Sequence, residues 1–70
     1  MTPKRLKITA AREALGITQA ELSRRTGMNP STISLASRGR FIPYDSQLVR
    51  LAVALGFEGD PHELLEPADR

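Results

Sequence analysis

Apolar residues recur every three to four positions along most of this chain and nowhere alternate with period two for long, so the pattern predicts helices and no strand. Ile8, Ala11 and Leu15 share one face of a first predicted helix, which Thr2 and Pro3 open and Gly16 ends. A second helix is predicted from about Gln19 to Thr26, with Leu22 inward. A third runs from about Pro30 to Arg38, with Ile33, Ala36 and Ser37 inward. The loop from Gly39 to Tyr44 contains Pro43. A fourth helix starts near Asp45 or Ser46, carries Leu48, Leu51, Ala52 and Leu55 on one stripe, and stops at Gly56. Asp60, Pro61, His62 and Glu63 read as a capping box that opens a short fifth helix with Leu64 and Leu65, closed by Pro67. The expectation is an all-α fold: a compact five-helix bundle in a single domain over residues 1–70, without repeats or linkers.

The join between the second and third helices is the most specific local signal. Thr18 is placed to cap the second helix, with Glu21 completing a capping box. Gly27 supplies the turn, because glycine takes left-handed dihedrals without steric cost. Asn29 is placed to cap the third helix, and Pro30 sits at its first position, where a missing N–H does no harm. Two short helices with so brief a turn form a helix-turn-helix, whose second helix can enter a DNA major groove.

Charge sharpens that reading. The net charge is only +2, but residues 1–44 carry eight Lys or Arg against two acids, for +6, while residues 45–70 carry two Arg against six acids, for −4. A basic half beside an acidic half suits one face for a polyanion and another that avoids it. About four to six phosphates neutralised per subunit would match the basic half. Other classes are excluded or weak. With no cysteine there is neither a disulfide nor a thiolate metal site. No apolar run approaches a membrane span, and no apolar segment follows the basic N-terminal residues as in a secretory signal, so a cytoplasmic protein is expected. The single histidine, His62, lies near Asp60 and Glu63 and reads as a capping-region residue before a metal ligand. It has no evident nucleophile to serve, so no enzyme, no cofactor and no metal are expected.

Beyond these local readings, the chain resembles the lambda-repressor-like, or Xre-type, helix-turn-helix family. The matching residues are AREALGITQAELSRRTG, then STIS, then Gly39, then LVRLAVALG, then HELL, from about Ile8 to Leu65. The resemblance implies a five-helix lambda-repressor-like bundle that binds operator DNA, usually as a two-fold dimer. The family covers phage and bacterial repressors and the antitoxins of many toxin–antitoxin pairs. It uses a glutamine at the place of Gln19 to bond a phosphate and brace the third helix. It usually has a glutamate where Ser37 stands, paired with the arginine matching Arg12. Arg12 is therefore expected to turn to Glu13, to Asp45 or to a phosphate. The family prefers a larger apolar residue at the place of Ala36 and often a polar or basic one at the place of Leu35.

The expected reading face is the outer side of the third helix, where Ser31, Ser34, Leu35 and Arg38 follow one another at helical spacing beside Thr32. Serine and threonine bond several base edges, Leu35 suits a thymine methyl group, and Arg38 can reach a guanine or a phosphate. Gln19 and Asn29 stand at helix N-termini, whose N–H groups and dipole favour phosphate. Arg40 is placed for the DNA backbone, and Lys4, Arg5 and Lys7 can approach it from the N-terminal end or stay solvated. A homodimer on a near-palindromic site is expected, with Phe57, Leu64 and Tyr44 at its interface and Ile42 or Leu65 nearby. The leading function is a sequence-specific transcriptional regulator, a repressor in the first instance. The alternatives are an antitoxin, which requires a protein partner, and a DNA-tethering subunit of a phage or recombination complex.

Overall fold

Caps and apolar spacing put four α-helices where the sequence asks for them: α1 Lys7–Leu15, α2 Gln19–Thr26, α3 Pro30–Ser37 and α4 Asp45–Leu55, followed by a 3₁₀ helix, Pro61–Leu65. The computed structural model describes residues 5–68. Thr18 Oγ1 accepts the N–H of Glu21 at 3.1 Å, and Asn29 Oδ1 accepts that of Ser31 at 2.8 Å. Gly27 ends α2 at φ 72°, the left-handed conformation the tight turn requires.

Each element sends at least one large side chain to a common core. Ile8, Leu22, Ile33, Leu48, Leu51 and Leu64 are fully buried, and Met28, Ala52 and Leu55 complete the cluster. α2 lies against both α3 and α4, and the 3₁₀ helix lies against α4 and α1. Thr26 is the one buried polar residue among those described. Its hydroxyl donates to the Leu22 carbonyl at 2.8 Å and accepts the Met28 N–H at 3.2 Å, so the turn's own backbone is satisfied inside the core. Thr26→Val keeps the shape and leaves a buried N–H without a partner. It should cost about 1–3 kcal/mol in a chemical denaturation series.

The structure departs from the sequence reading in four places. The fifth helix is not an α-helix. Its bonds, Glu63 N–H to Asp60 O at 2.8 Å and Glu66 N–H to Glu63 O at 3.0 Å, each span three residues. Five residues between Pro61 and Pro67 leave no room for a four-residue ladder, and the proline holds Glu66 extended at ψ 154°. The described residues thus form four α-helices, not five.

Second, α1 begins at Lys7 with Leu6 as its unbonded cap, and Thr2 and Pro3 lie outside the described residues. The cap is tertiary. Lys7 donates its N–H to the Glu66 carbonyl at 2.9 Å, and Ala68 donates to Arg5 O at 2.7 Å, in a single antiparallel bridge between Leu6 and Pro67. Third, both capping boxes are half made. The Glu21 carboxylate turns to Arg24 and Arg25, and that of Glu63 lies 3.8 Å from Lys7 Nζ. Fourth, Leu15 is about half exposed at the end of α1, one turn beyond the part of the helix the core covers.

Candidate nucleic-acid interface

The sequence pins the third helix from one side only. Ile33 and Ala36 are buried, while Ser31, Leu35 and Arg38 are exposed and Thr32 and Ser34 half-buried. Ser31, Leu35 and Arg38 thus face outward as expected, with Thr32 and Ser34 partly covered. Ser37 is half-buried and its hydroxyl is committed, donating to the Ile33 carbonyl at 2.8 Å. Asn29 is exposed, and its carbonyl oxygen caps α3. Gln19 opens α2 half-buried, with its neighbour Thr18 capping the helix. Arg38 caps the end of α3, and Arg40 follows exposed, its N–H donating to Leu35 O at 2.9 Å. That bond holds the start of the loop against the helix.

A brace across the turn was not read from the sequence. Ser23 Oγ donates to the Met28 carbonyl, and the buried Met28 anchors the turn in the core. The only sequence signal was a hydroxyl residue facing a turn five residues on. Together with Thr26, this brace ties α2 to the turn that leads into α3.

Ion pairing divides the basic residues into two sets. Glu21 lies 2.7 Å from Arg24 and 3.3 Å from Arg25, and hydrogen bonds from both hold its carboxyl below the ordinary carboxylate range. Arg5 pairs with Glu13, and Lys7 Nζ lies 3.6 Å from Glu66 as well as near Glu63. Lys4 lies outside the described residues. Arg38 and Arg40 make no ion pair among the described residues. Of the cations without an ion pair, Arg38 and Arg40 stand at the end of α3, whereas Arg50 lies on α4. Arg12 takes neither carboxylate expected for it, because Glu13 is held by Arg5 and Asp45 by His62. It donates instead to the Ile17 carbonyl at 2.8 Å and braces the end of α1, with its Nε buried and unpartnered.

His62 sits between two carboxylates, with Nδ1 2.9 Å from Asp60 and Nε2 2.9 Å from Asp45. Donating hydrogen bonds to Asp60 and then to Asp45 stabilises the charged ring and raises its pKa above the ordinary value of 6.5. The described residues contain no group of three or more side chains able to hold a metal ion. The link joins the start of α4 to the 3₁₀ helix. A raised folded pKa means that its contribution is complete below the unfolded value and fades as pH rises through the folded one. Thermal melting should accordingly show wild type losing ground to His62→Gln between pH 5.5 and pH 8.5. Equal pH profiles would remove the link.

The predicted dimer residues separate. Leu64 is fully buried between α1 and α4, so it is a core residue and is not available to an interface. The 3₁₀ helix can present only one of its two leucines inward; Leu64 takes that place and Leu65 is half-buried. Phe57 is half-buried and packs against the core cluster. Tyr44 and Ile42 are each 75% exposed in the loop. α4 adds a pair of exposed apolar residues outside the predicted stripe, Val49 and Val53, 49% and 77% exposed.

Two short helices crossing at a glycine turn, with the second exposed along one polar face and flanked by unpaired arginines, define a helix-turn-helix protein. The model of the helix-turn-helix domain family matches residues 6–65, and the chain belongs to that family. A crystal structure of a hypothetical transcription factor, NHTF from Neisseria, is similar at a TM-score of 0.74 and 30% identity. The match covers 87% of this chain and 66% of that one, so this chain spans just under two thirds of its neighbour's length. Comparison with curated protein sequences gives no match. No helix among the described residues is long and apolar enough to cross a membrane.

Proposed function

We propose that this protein is a sequence-specific, DNA-binding transcriptional regulator of the cytoplasm, acting as a repressor on a near-palindromic operator. The observation that carries the reading is that two cations free of ion pairs, Arg38 and Arg40, stand at the end of the outward face of α3. Ser31, Thr32, Ser34 and Leu35 meet base edges, with Leu35 against a thymine methyl group. Arg38 reaches a guanine or a phosphate from the end of the helix. Gln19, Asn29 and Arg40 hold the phosphate backbone and set the register. The similarity to a protein described as a transcription factor supports the same reading. A single module of this size makes few base contacts, so two copies on one duplex, with half-sites about one helical turn apart, supply the rest. Tyr44 is the exposed member of the expected interface, and Phe57 contributes only its outer edge.

Selection of bound duplexes from a random pool at fixed salt tests the proposal. Gln19→Ala and Arg40→Ala should weaken binding to all sequences alike. Ser34→Ala and Leu35→Ala should change preference at particular base pairs, by about 1–3 kcal/mol each. A selected consensus that survives both third-helix substitutions unchanged would show that α3 is not the reader. A pool that yields no enriched sequence would remove the function.

A further inference from the structure

The structure has a concave surface that the DNA-binding reading does not use. It lies between the end of α2 and the outer face of α4, and Arg25, Thr26, Val49, Arg50, Val53 and Ala54 line it. None of these belongs to α3, to the loop after it, or to the start of α2. Val49 and Val53 stand one turn apart on α4 and are the exposed apolar part of the groove. A single exposed valine is ordinary, but two side by side in a concavity rimmed by guanidinium groups form a surface with a chemical preference. No carboxylate lines the groove. Arg50 makes no ion pair among the described residues, and Arg25 has only the more distant share of Glu21, 3.3 Å against 2.7 Å for Arg24.

We infer that this groove docks an acidic amphipathic segment of a protein partner, with aliphatic side chains on Val49 and Val53 and carboxylates on Arg25 and Arg50. The charge pattern selects this occupant over the two others that chemistry allows. A second copy packed here about a two-fold axis would bring Arg25 and Arg50 of both copies together with no carboxylate between them. A DNA backbone would satisfy the arginines and leave both valines against a polyanion with nothing to bury them. A helix with leucines one turn apart and glutamates beside them meets both halves of the surface. The inference stands apart from the function proposed above, because the groove shares no residue with the reading face.

The test is a titration of ¹⁵N-labelled protein with a designed helical peptide carrying leucines one turn apart and flanking glutamates. The same peptide with lysines for glutamates is the control. Amide shifts should map to Thr26, Val49, Arg50 and Val53, and the lysine peptide should bind about tenfold more weakly or worse. Arg50→Glu should weaken the acidic peptide by a similar factor and improve the lysine peptide, a reversal that simple unfolding cannot produce. Val53→Ser should weaken both leucine-bearing peptides. The inference is overturned by shifts confined to another surface, by equal binding of the two peptides, or by no shift at millimolar peptide. It is also overturned if duplex DNA moves the same amides, which makes the groove a phosphate contact. Loss of self-association in Val53→Ser by sedimentation would assign the groove to a second copy and overturn it equally.

Discussion

Ile33→Ala should cost about 2–5 kcal/mol of folding stability, the range for truncating a large aliphatic residue in a closed core. Ile33 is fully buried and is the only large side chain that α3 commits to the core. A chain of 70 residues has roughly 4–10 kcal/mol of stability in total, so this one change removes a large share of it. Leu35→Ala on the same helix is the control. Leu35 is 41% exposed, and its removal should stay within about 0.5 kcal/mol of wild type, as for a surface change. Leu64→Ala separates two readings of its residue. A core leucine costs the same 2–5 kcal/mol or so as Ile33, whereas an interface leucine would leave the stability of the monomer untouched. Urea denaturation followed by circular dichroism distinguishes them. An unchanged midpoint in Leu64→Ala would return that residue to the surface.

What the sequence made legible was local, and what it hid was tertiary. The bounds of α2 are those predicted because everything that sets them lies within the segment: Thr18 caps it and Gly27 stops it. The start of α3 is equally local, with Asn29 and Pro30 side by side. The start of α1 was illegible because its cap is the carbonyl of Glu66, nearly sixty residues away. The 3₁₀ helix was misread because Asp60 with Pro61 opens an α-helix and a 3₁₀ turn alike, and only the length before Pro67 decides between them. Leu64 and Leu65 are neighbours, and periodicity over five residues cannot say which turns inward. On the outward side of α3, the exposure of Ser31, Leu35 and Arg38 followed from the helical spacing, while Ser34, at the same spacing, is half-buried. The pairing of charges did not. Glu21 with Arg24 and Arg25 is a local pattern, but Lys7 with Glu63 and Glu66, and Asp45 with His62, depend on the fold.

That pairing changes the expected response of DNA binding to salt. Counting charges over residues 1–44 gives +6 and suggests about four to six phosphate contacts per subunit, hence a two-fold dimer with a log–log slope near −8 to −10. Glu13 and Glu21 are already counted in that +6, and the fold decides which of the eight cations are free to meet phosphate. Arg24 and Arg25 share Glu21, Arg5 is held by Glu13, Lys7 faces Glu63 and Glu66, and Arg12 is turned to the Ile17 carbonyl. Arg38 and Arg40 remain, and Lys4 outside the described residues can add a third. In the proposed complex, helix N-termini at Gln19 and Asn29 would bond phosphate through neutral N–H groups and displace no counterion of their own. Two to three contacts per subunit give a slope of about −4 to −5 for a dimer, at roughly 0.9 per phosphate. Affinity should then fall roughly 10²- to 10³-fold between 50 and 200 mM salt. Fluorescence anisotropy on a labelled duplex at several salt concentrations measures it. Arg40→Ala should flatten the slope by about one for each subunit bound, because it deletes one phosphate contact. A slope near −9 would mean that the ion pairs open on binding and hand their arginines to the DNA. A flat response would remove the polyanion from the function altogether.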